Sequence, residues 1–172
     1  ERAHLTTVHA FTSTQRLADV PAEDLRLSRA AAENIVPSET NAASVLEEVL
    51  PALKGRIHAS ALRVPVANGS VLDMTFWTGR SVTRDGVNEV MRTAAAGPYR
   101  GILEYTEDPI VSSDVEQSPY SSIYDSLATM VLGSDLVKVI AWFNNGWGYT
   151  HRAVEVLRRF VEMDGKGSEV RS

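Results

Sequence analysis

A chain of 172 residues with 44% hydrophobic and 23% charged residues can bury roughly 70% of the surface its unfolded form exposes, and this composition excludes disordered, fibrous and peptide-hormone classes. Seventeen basic residues against 22 acidic ones leave a net charge of −5, which offers no electrostatic footprint for a nucleic acid or an anionic membrane, so any anionic ligand has to be held by local groups. There is no cysteine, which removes disulfides, thiolate metal sites and thiol nucleophiles together. No apolar run reaches membrane-spanning length and the chain opens on Glu1-Arg2-Ala3-His4; the expectation is one cytosolic globular domain.

Residues 5–11 are rich in β-branched and apolar side chains and run into polar Thr12-Ser13-Thr14-Gln15, a strand entering a loop. From there to Pro37 no period is sustained, which predicts a long ordered loop, usually a functional one. Val45, Leu46, Val49, Leu50 and Leu53 then form a helical face behind a Thr40 or Asn41 cap, ending near Pro51 or Gly55. Residues 59–66 and 70–77 read as strands joined by Asn68-Gly69 into a hairpin. Thr83 caps a second amphipathic helix that stops at Gly97-Pro98.

Short strands are expected at 101–105, 109–111 and 121–124, and a second hairpin over 129–143. Its last strand carries Leu136, Ile140 and Trp142 on one face and Val137, Val139, Ala141 and Phe143 on the other. Apart from Lys138 both faces want cover, and helices cover one only, so a second domain or subunit is expected on the other. A terminal helix over about 148–162 sets Val154, Leu157, Phe160 and Val161 against a charged side, and 164–172 read as a tail. The whole is an α+β layer, a mainly antiparallel mixed sheet with helices on one face, spanning residues 1–163.

Four histidines are present, and His9 stands apart because it sits where a strand meets a polar loop, the rim position at which rigid scaffolds display reactive groups. Alternation assigns Leu62, Val64 and Val66 to the core face and turns Arg63 the other way, as an exposed arginine or as a planar clamp for phosphate or carboxylate. Thr40-Asn41 before a helix is either a plain cap or an oxyanion cradle. Asn144 to Tyr149 join strand to helix with more polar and aromatic side chains than a turn needs. No HExxH, Walker A, GxSxG or GxGxxG pattern occurs and no carboxylate spacing argues for a metal. One histidine, one arginine and two anion cradles suit acid/base work on a phosphorylated small molecule.

Five ordered segments then carry a resemblance over nearly the whole chain: Thr6-Thr7-Val8-His9-Ala10-Phe11-Thr12, Ile35-Val36-Pro37-Ser38-Glu39-Thr40-Asn41-Ala42-Ala43, Leu62-Arg63-Val64-Pro65-Val66, Tyr105-Thr106-Glu107-Asp108-Pro109 and Trp147-Gly148-Tyr149. Together they resemble the C-terminal catalytic domain of phosphorylating glyceraldehyde-3-phosphate dehydrogenases. The resemblance implies an N-terminal Rossmann half for NAD or NADP and a nucleophilic cysteine just upstream of the first strand, neither present here. It implies His9 as the base, Thr12 and Arg63 on the phosphate of the sugar-phosphate aldehyde, Thr40 and Asn41 on inorganic phosphate, and Asn145 with Tyr149 beside the nicotinamide. Residues 13–37 would be the S-shaped loop that reaches a neighbouring subunit's cofactor in a homotetramer.

The chain departs from that pattern at Asn41 for a glycine, Phe11 for a tyrosine, and Asn144 and Gly146 for an aspartate and a glutamate. The expectation is a fragment of a longer dehydrogenase, inactive by itself. The alternatives are a non-catalytic binding or assembly module and a relative acting on another sugar phosphate such as erythrose 4-phosphate. The intact mass of the natural polypeptide separates a fragment from a free-standing module.

Overall fold

The computed structural model describes the backbone of residues 1–169 and the side chains of residues 1–163. β1 (Arg2–Ala10) is an inner strand, with β3 (Ile57–Val64) parallel on one side and β4 (Ser70–Trp77) antiparallel on the other. β2 (Val36–Ser38) closes the β3 edge. Beyond β4 come β7 (Leu136–Phe143), β6 (Ser122–Leu132) and β5 (Leu103–Thr106), giving the order β2-β3-β1-β4-β7-β6-β5 in one seven-stranded sheet. Only β1 with β3 and β5 with β6 pair in parallel, so the α+β reading with a mainly antiparallel mixed sheet holds.

The core lies where β4, β6 and β7 meet α2 (Arg84–Ala96). Tyr124, Val137 and Val139 are buried, with Met74 and Phe76 from β4 and Val87 and Met91 from α2 packed against them. α2 starts as its sequence dictates: Thr83 Oγ1 accepts the Gly86 N–H at 3.1 Å, satisfying a donor that the first helical turn leaves orphaned. It ends at Gly97. α1 (Ala42–Val49) begins at Asn41 without a side-chain cap from that residue, while Thr40 Oγ1 accepts the Ala42 N–H at 3.2 Å. Pro51 cannot continue the helix and opens a 3₁₀ turn over Pro51–Leu53.

The expected hairpin over residues 59–77 is not formed. Both strands exist, but β1 lies between them. The connecting residues cross the end of β1: Phe11 donates its N–H to the Val66 carbonyl at 3.0 Å, and Ser70 Oγ accepts from the Ala10 N–H at 3.3 Å. Gly69 does adopt a positive φ of 75°. Turn chemistry reports that local backbone, not which strand pairs alongside.

The core face of β3 is also the reverse of the expected one. Register pairs Ala61 with Thr7 and Arg63 with His9, on the side of β1 that carries buried Leu5. Leu62, opposite Val8, lies on the far face, and none of Leu62, Val64 or Val66 is fully buried. Alternation fixes which residues share a face but not which face the helices cover.

Residues 109–111 form no strand; Val111 leads into a 3₁₀ turn at Ser112–Val115 whose Val115 is fully buried. The stretches at 121–124 and 129–132 are one strand, β6, interrupted by a bulge between Asp125 and Met130. The Asp125 carboxylate builds that bulge by accepting from the Leu127 and Ala128 N–H groups at 3.1 and 3.2 Å and from Trp142 Nε1 at 3.1 Å. The β6–β7 hairpin forms as expected, with Gly133 at φ 63°.

Along β7, Val137, Val139 and Ala141 are buried and Leu136, Ile140 and Trp142 on the other face are half-buried. α3 (Asn145–Glu169) starts earlier than expected, and the apolar side expected to pack is open: Val154, Leu157, Phe160 and Val161 are 41–72% exposed. The helix runs on through Glu169, so residues 164–169 are not the expected tail, and residues 170–172 of that tail lie outside the described residues. Among the described residues no helix is long and apolar enough to cross a membrane.

Candidate active site

β1 and β3 carry His9 and Arg63 side by side as register partners at the ends of the two strands. The chain enters β2 next to β3 and then turns into α1, which brings Glu39, Thr40 and Asn41 to the same edge. These residues and Thr7 line one open cleft of about 510 Å³. Four of the expected site residues, His9, Thr40, Asn41 and Arg63, therefore share one cavity although 54 positions separate the outer two in sequence (63 − 9).

The His9 ring is oriented by three neighbours. Nδ1 lies 2.9 Å from the Ala10 carbonyl oxygen. A carbonyl only accepts, so Nδ1 carries a proton and Nε2 of the neutral ring is left as the acceptor. Asn145 Nδ2 donates to that Nε2 at 3.2 Å. The Phe143 ring meets the imidazole edge-on, with centroids 6.1 Å apart and planes at 89°. Asn145, the first residue of α3, is thus joined to a histidine 136 positions away in sequence.

Arg63 is half-buried and Nη1 donates to Thr12 Oγ1 at 3.2 Å. Thr12 Oγ1 also lies 2.8 Å from Thr14 Oγ1, while its backbone N–H donates to Oε1 of buried Gln15 at 3.4 Å. The guanidinium is therefore held by a structured loop start, and among the described residues no carboxylate pairs with it. Thr40 and Asn41, just ahead of α1, line the same cleft.

Tyr149 is not brought into this group. It is 76% exposed on α3 and shares no hydrogen bond with the other candidates among the described residues. Two residues of the site went unnoticed in sequence. Glu39 puts a carboxylate on the cleft wall, a signal available from its position beside Thr40. Asn68 hydrogen-bonds Asn144 behind Asn145, for which no sequence pattern exists. Among the described residues no group of three or more His, Asp or Glu could hold a metal ion.

The site thus joins a histidine with an oriented ring and an arginine held by a threonine hydroxyl in one cleft at the edge of an α+β sheet. Comparison with known proteins narrows the class. The family model described as glyceraldehyde 3-phosphate dehydrogenase, C-terminal domain, matches residues 1–145. Glyceraldehyde-3-phosphate dehydrogenase 1 of Streptomyces avermitilis is 50% identical over 156 residues, covering 91% of this chain and 46% of that protein. The glyceraldehyde-3-phosphate dehydrogenases of Borreliella burgdorferi and Geobacillus stearothermophilus are 45% and 46% identical over 164 and 155 residues, covering 94% and 90% of this chain and 49% and 46% of those proteins. The chain belongs to the glyceraldehyde-3-phosphate dehydrogenase family and corresponds to its C-terminal domain. It spans about half the length of the curated relatives it matches.

Proposed function

We propose that residues 1–163 are the catalytic domain of a phosphorylating glyceraldehyde-3-phosphate dehydrogenase, which converts a sugar-phosphate aldehyde and inorganic phosphate to an acyl phosphate. The observation that carries this reading is the orientation of His9: Nδ1–H is bound to the Ala10 carbonyl, which leaves Nε2 as the basic nitrogen, held by the Asn145 amide until a substrate proton displaces it, in the cleft that His9 shares with Arg63. His9 Nε2 takes the proton of the attacking thiol, gives it to the oxyanion formed as the thiolate adds to the aldehyde, and takes it back from that hydroxyl when the carbon is oxidised. This chain contains no cysteine, so the thiol belongs to the rest of the enzyme and the chain alone is inactive.

Arg63 and Thr12 bind the phosphate of the aldehyde, and Thr40 and Asn41 the incoming inorganic phosphate. NAD or NADP, which would be held mainly outside this chain, would supply the hydride acceptor. The exposed Asn145 amide offers both a donor and an acceptor and so fits a carboxamide partner, with Tyr149 further along the same helix. The names of the relatives favour this reading over a non-catalytic module. Within the loop at 13–37, Leu17, Leu25 and Ile35 are 66–80% exposed, which supports a homotetramer in which that loop reaches a neighbouring subunit.

The test is the His9→Asn variant of the whole enzyme. Hydride transfer falls by about 10²–10⁴-fold, the range for a lost acid/base group, while cofactor binding is unchanged. Unaltered turnover removes His9 from the mechanism and the reading with it.

A further inference from the structure

We propose that Asn144 is a positioning residue for the His9–Asn145 pair, acting by tying the start of α3 to two loops of the sheet edge. Asn144 is 6% exposed and every polar atom of its side chain is used. Nδ2 donates to Asn68 Oδ1 at 2.6 Å and to the Glu116 carbonyl at 2.9 Å. Oδ1 accepts from the Trp147 N–H at 3.0 Å, capping α3, and the Asn144 carbonyl accepts from the Gly148 N–H at 3.0 Å. One amide therefore joins the helix start to the loop before β4 and to the end of the 3₁₀ turn after β5.

The two loops it grips are themselves locked together. Asn68 Oδ1 also accepts from the Gly69 N–H at 2.9 Å, and the Gly69 backbone lies against the Ser112 backbone. Asn145 follows Asn144 by a single peptide bond, and its side chain donates to His9 Nε2. The apolar side of α3 gives little restraint further on, since Val154, Leu157, Phe160 and Val161 are exposed. A 1 Å displacement at a site of this kind is catalytically expensive, so a fully satisfied buried amide immediately before Asn145 controls where that donor meets the ring.

The inference deepens the role given above to His9 and Asn145, but its readout is the hydrogen bond itself. In the ¹⁵N-labelled 172-residue chain, the His9 ring nitrogens report a protonated Nδ1 and an unprotonated, hydrogen-bonded Nε2. The Asn144→Asp variant keeps the side-chain volume and the acceptor that caps α3 but cannot donate to Asn68 and Glu116. It is expected to move the His9 Nε2 resonance and to erase the separate shift of the Asn145 side-chain amide, with the remaining amide spectrum retained. Asn68→Ala, which removes one acceptor from the far end, moves the same two signals and decides the matter if the first variant does not fold. Unchanged His9 and Asn145 signals in a folded variant, whatever its melting temperature, overturn the proposal. Altered signals accompanied by unchanged turnover of the whole enzyme uphold the positioning of Asn145 and refute its catalytic use.

Discussion

Arg63 Nη1 donates to Thr12 Oγ1 across 51 positions of sequence, at 3.2 Å, joining the end of β3 to the first turn of the loop that follows β1. The contact holds the guanidinium without neutralising it, because a threonine hydroxyl carries no charge. An arginine that is half-buried and, among the described residues, unpaired with a carboxylate is costly to desolvate unless an anion joins it. In Arg63→Leu, a phosphate ion titrated into the chain therefore binds about 10–100-fold more weakly, from the roughly 1.5–3 kcal/mol carried by a hydrogen bond to a charged group. In the whole enzyme the same variant raises KM for the phosphorylated aldehyde and leaves a phosphate-free aldehyde almost untouched. Equal losses for both aldehydes would detach Arg63 from phosphate recognition.

Which parts of this arrangement could be read before folding depends on the range of the forces involved. The α2 boundaries follow from Thr83, Gly97 and a 3.6-residue period, all local, and the structure reproduces them. Gly69 likewise signals a positive φ correctly. Strand partners are a different matter, because the insertion of β1 between β3 and β4 is settled by burial summed over three strands and leaves no mark on Asn68-Gly69. The facing of Arg63 fails for the same reason: period 2 pairs it with Ala61 but is silent on where α1 and α2 pack. His9 and Arg63 could be singled out one at a time, whereas their adjacency needs the parallel β1–β3 register. Asn144 drew notice within an unusually polar strand-to-helix turn and as a departure from the family pattern, but its partners at 68 and 116 come from loops with no periodic signal at all.

Gly69 carries two constraints that the Asn-Gly pattern merges into one. Its φ of 75° disfavours any L side chain, and a Cβ there would come within 2.7 Å of the Ser112 carbonyl carbon and 3.0 Å of its Cα. Backbone cannot rotate aside as a flexible side chain would. Gly69→Ala therefore destabilises the chain by about 2 kcal/mol or more, combining the left-handed penalty with overpacking. In a domain of this size that lowers Tm by roughly 4–8 °C. Gly55, also at positive φ but with nothing within 4 Å of an added Cβ, bears the first constraint alone. Thermal melts that rank Gly69→Ala no lower than Gly55→Ala would show that the contact with Ser112 is of no consequence.

Glu104 on β5 gives a pH signature that belongs to the fold rather than to the site. Partial burial raises its carboxyl from the ordinary glutamate value, and the negative charge of Asp108 adds to the shift. A raised folded-state value means that the native chain binds more protons than the unfolded one once pH climbs past the ordinary value of 4.5. Stability then falls with rising pH through that window, so ionised Glu104 weakens the fold at neutrality and the protonated group does not. Glu104→Gln keeps the volume and cannot ionise. The side chain remains partly solvated, which limits the effect to about 0.5 kcal/mol, or roughly 1–2 °C in Tm at pH 7. Below about pH 3, where the carboxyl is protonated in both states, the variant and the parent chain melt together. A gain of the same size at both pH values would mean that the glutamine acts through packing, with the Glu104 charge irrelevant to stability.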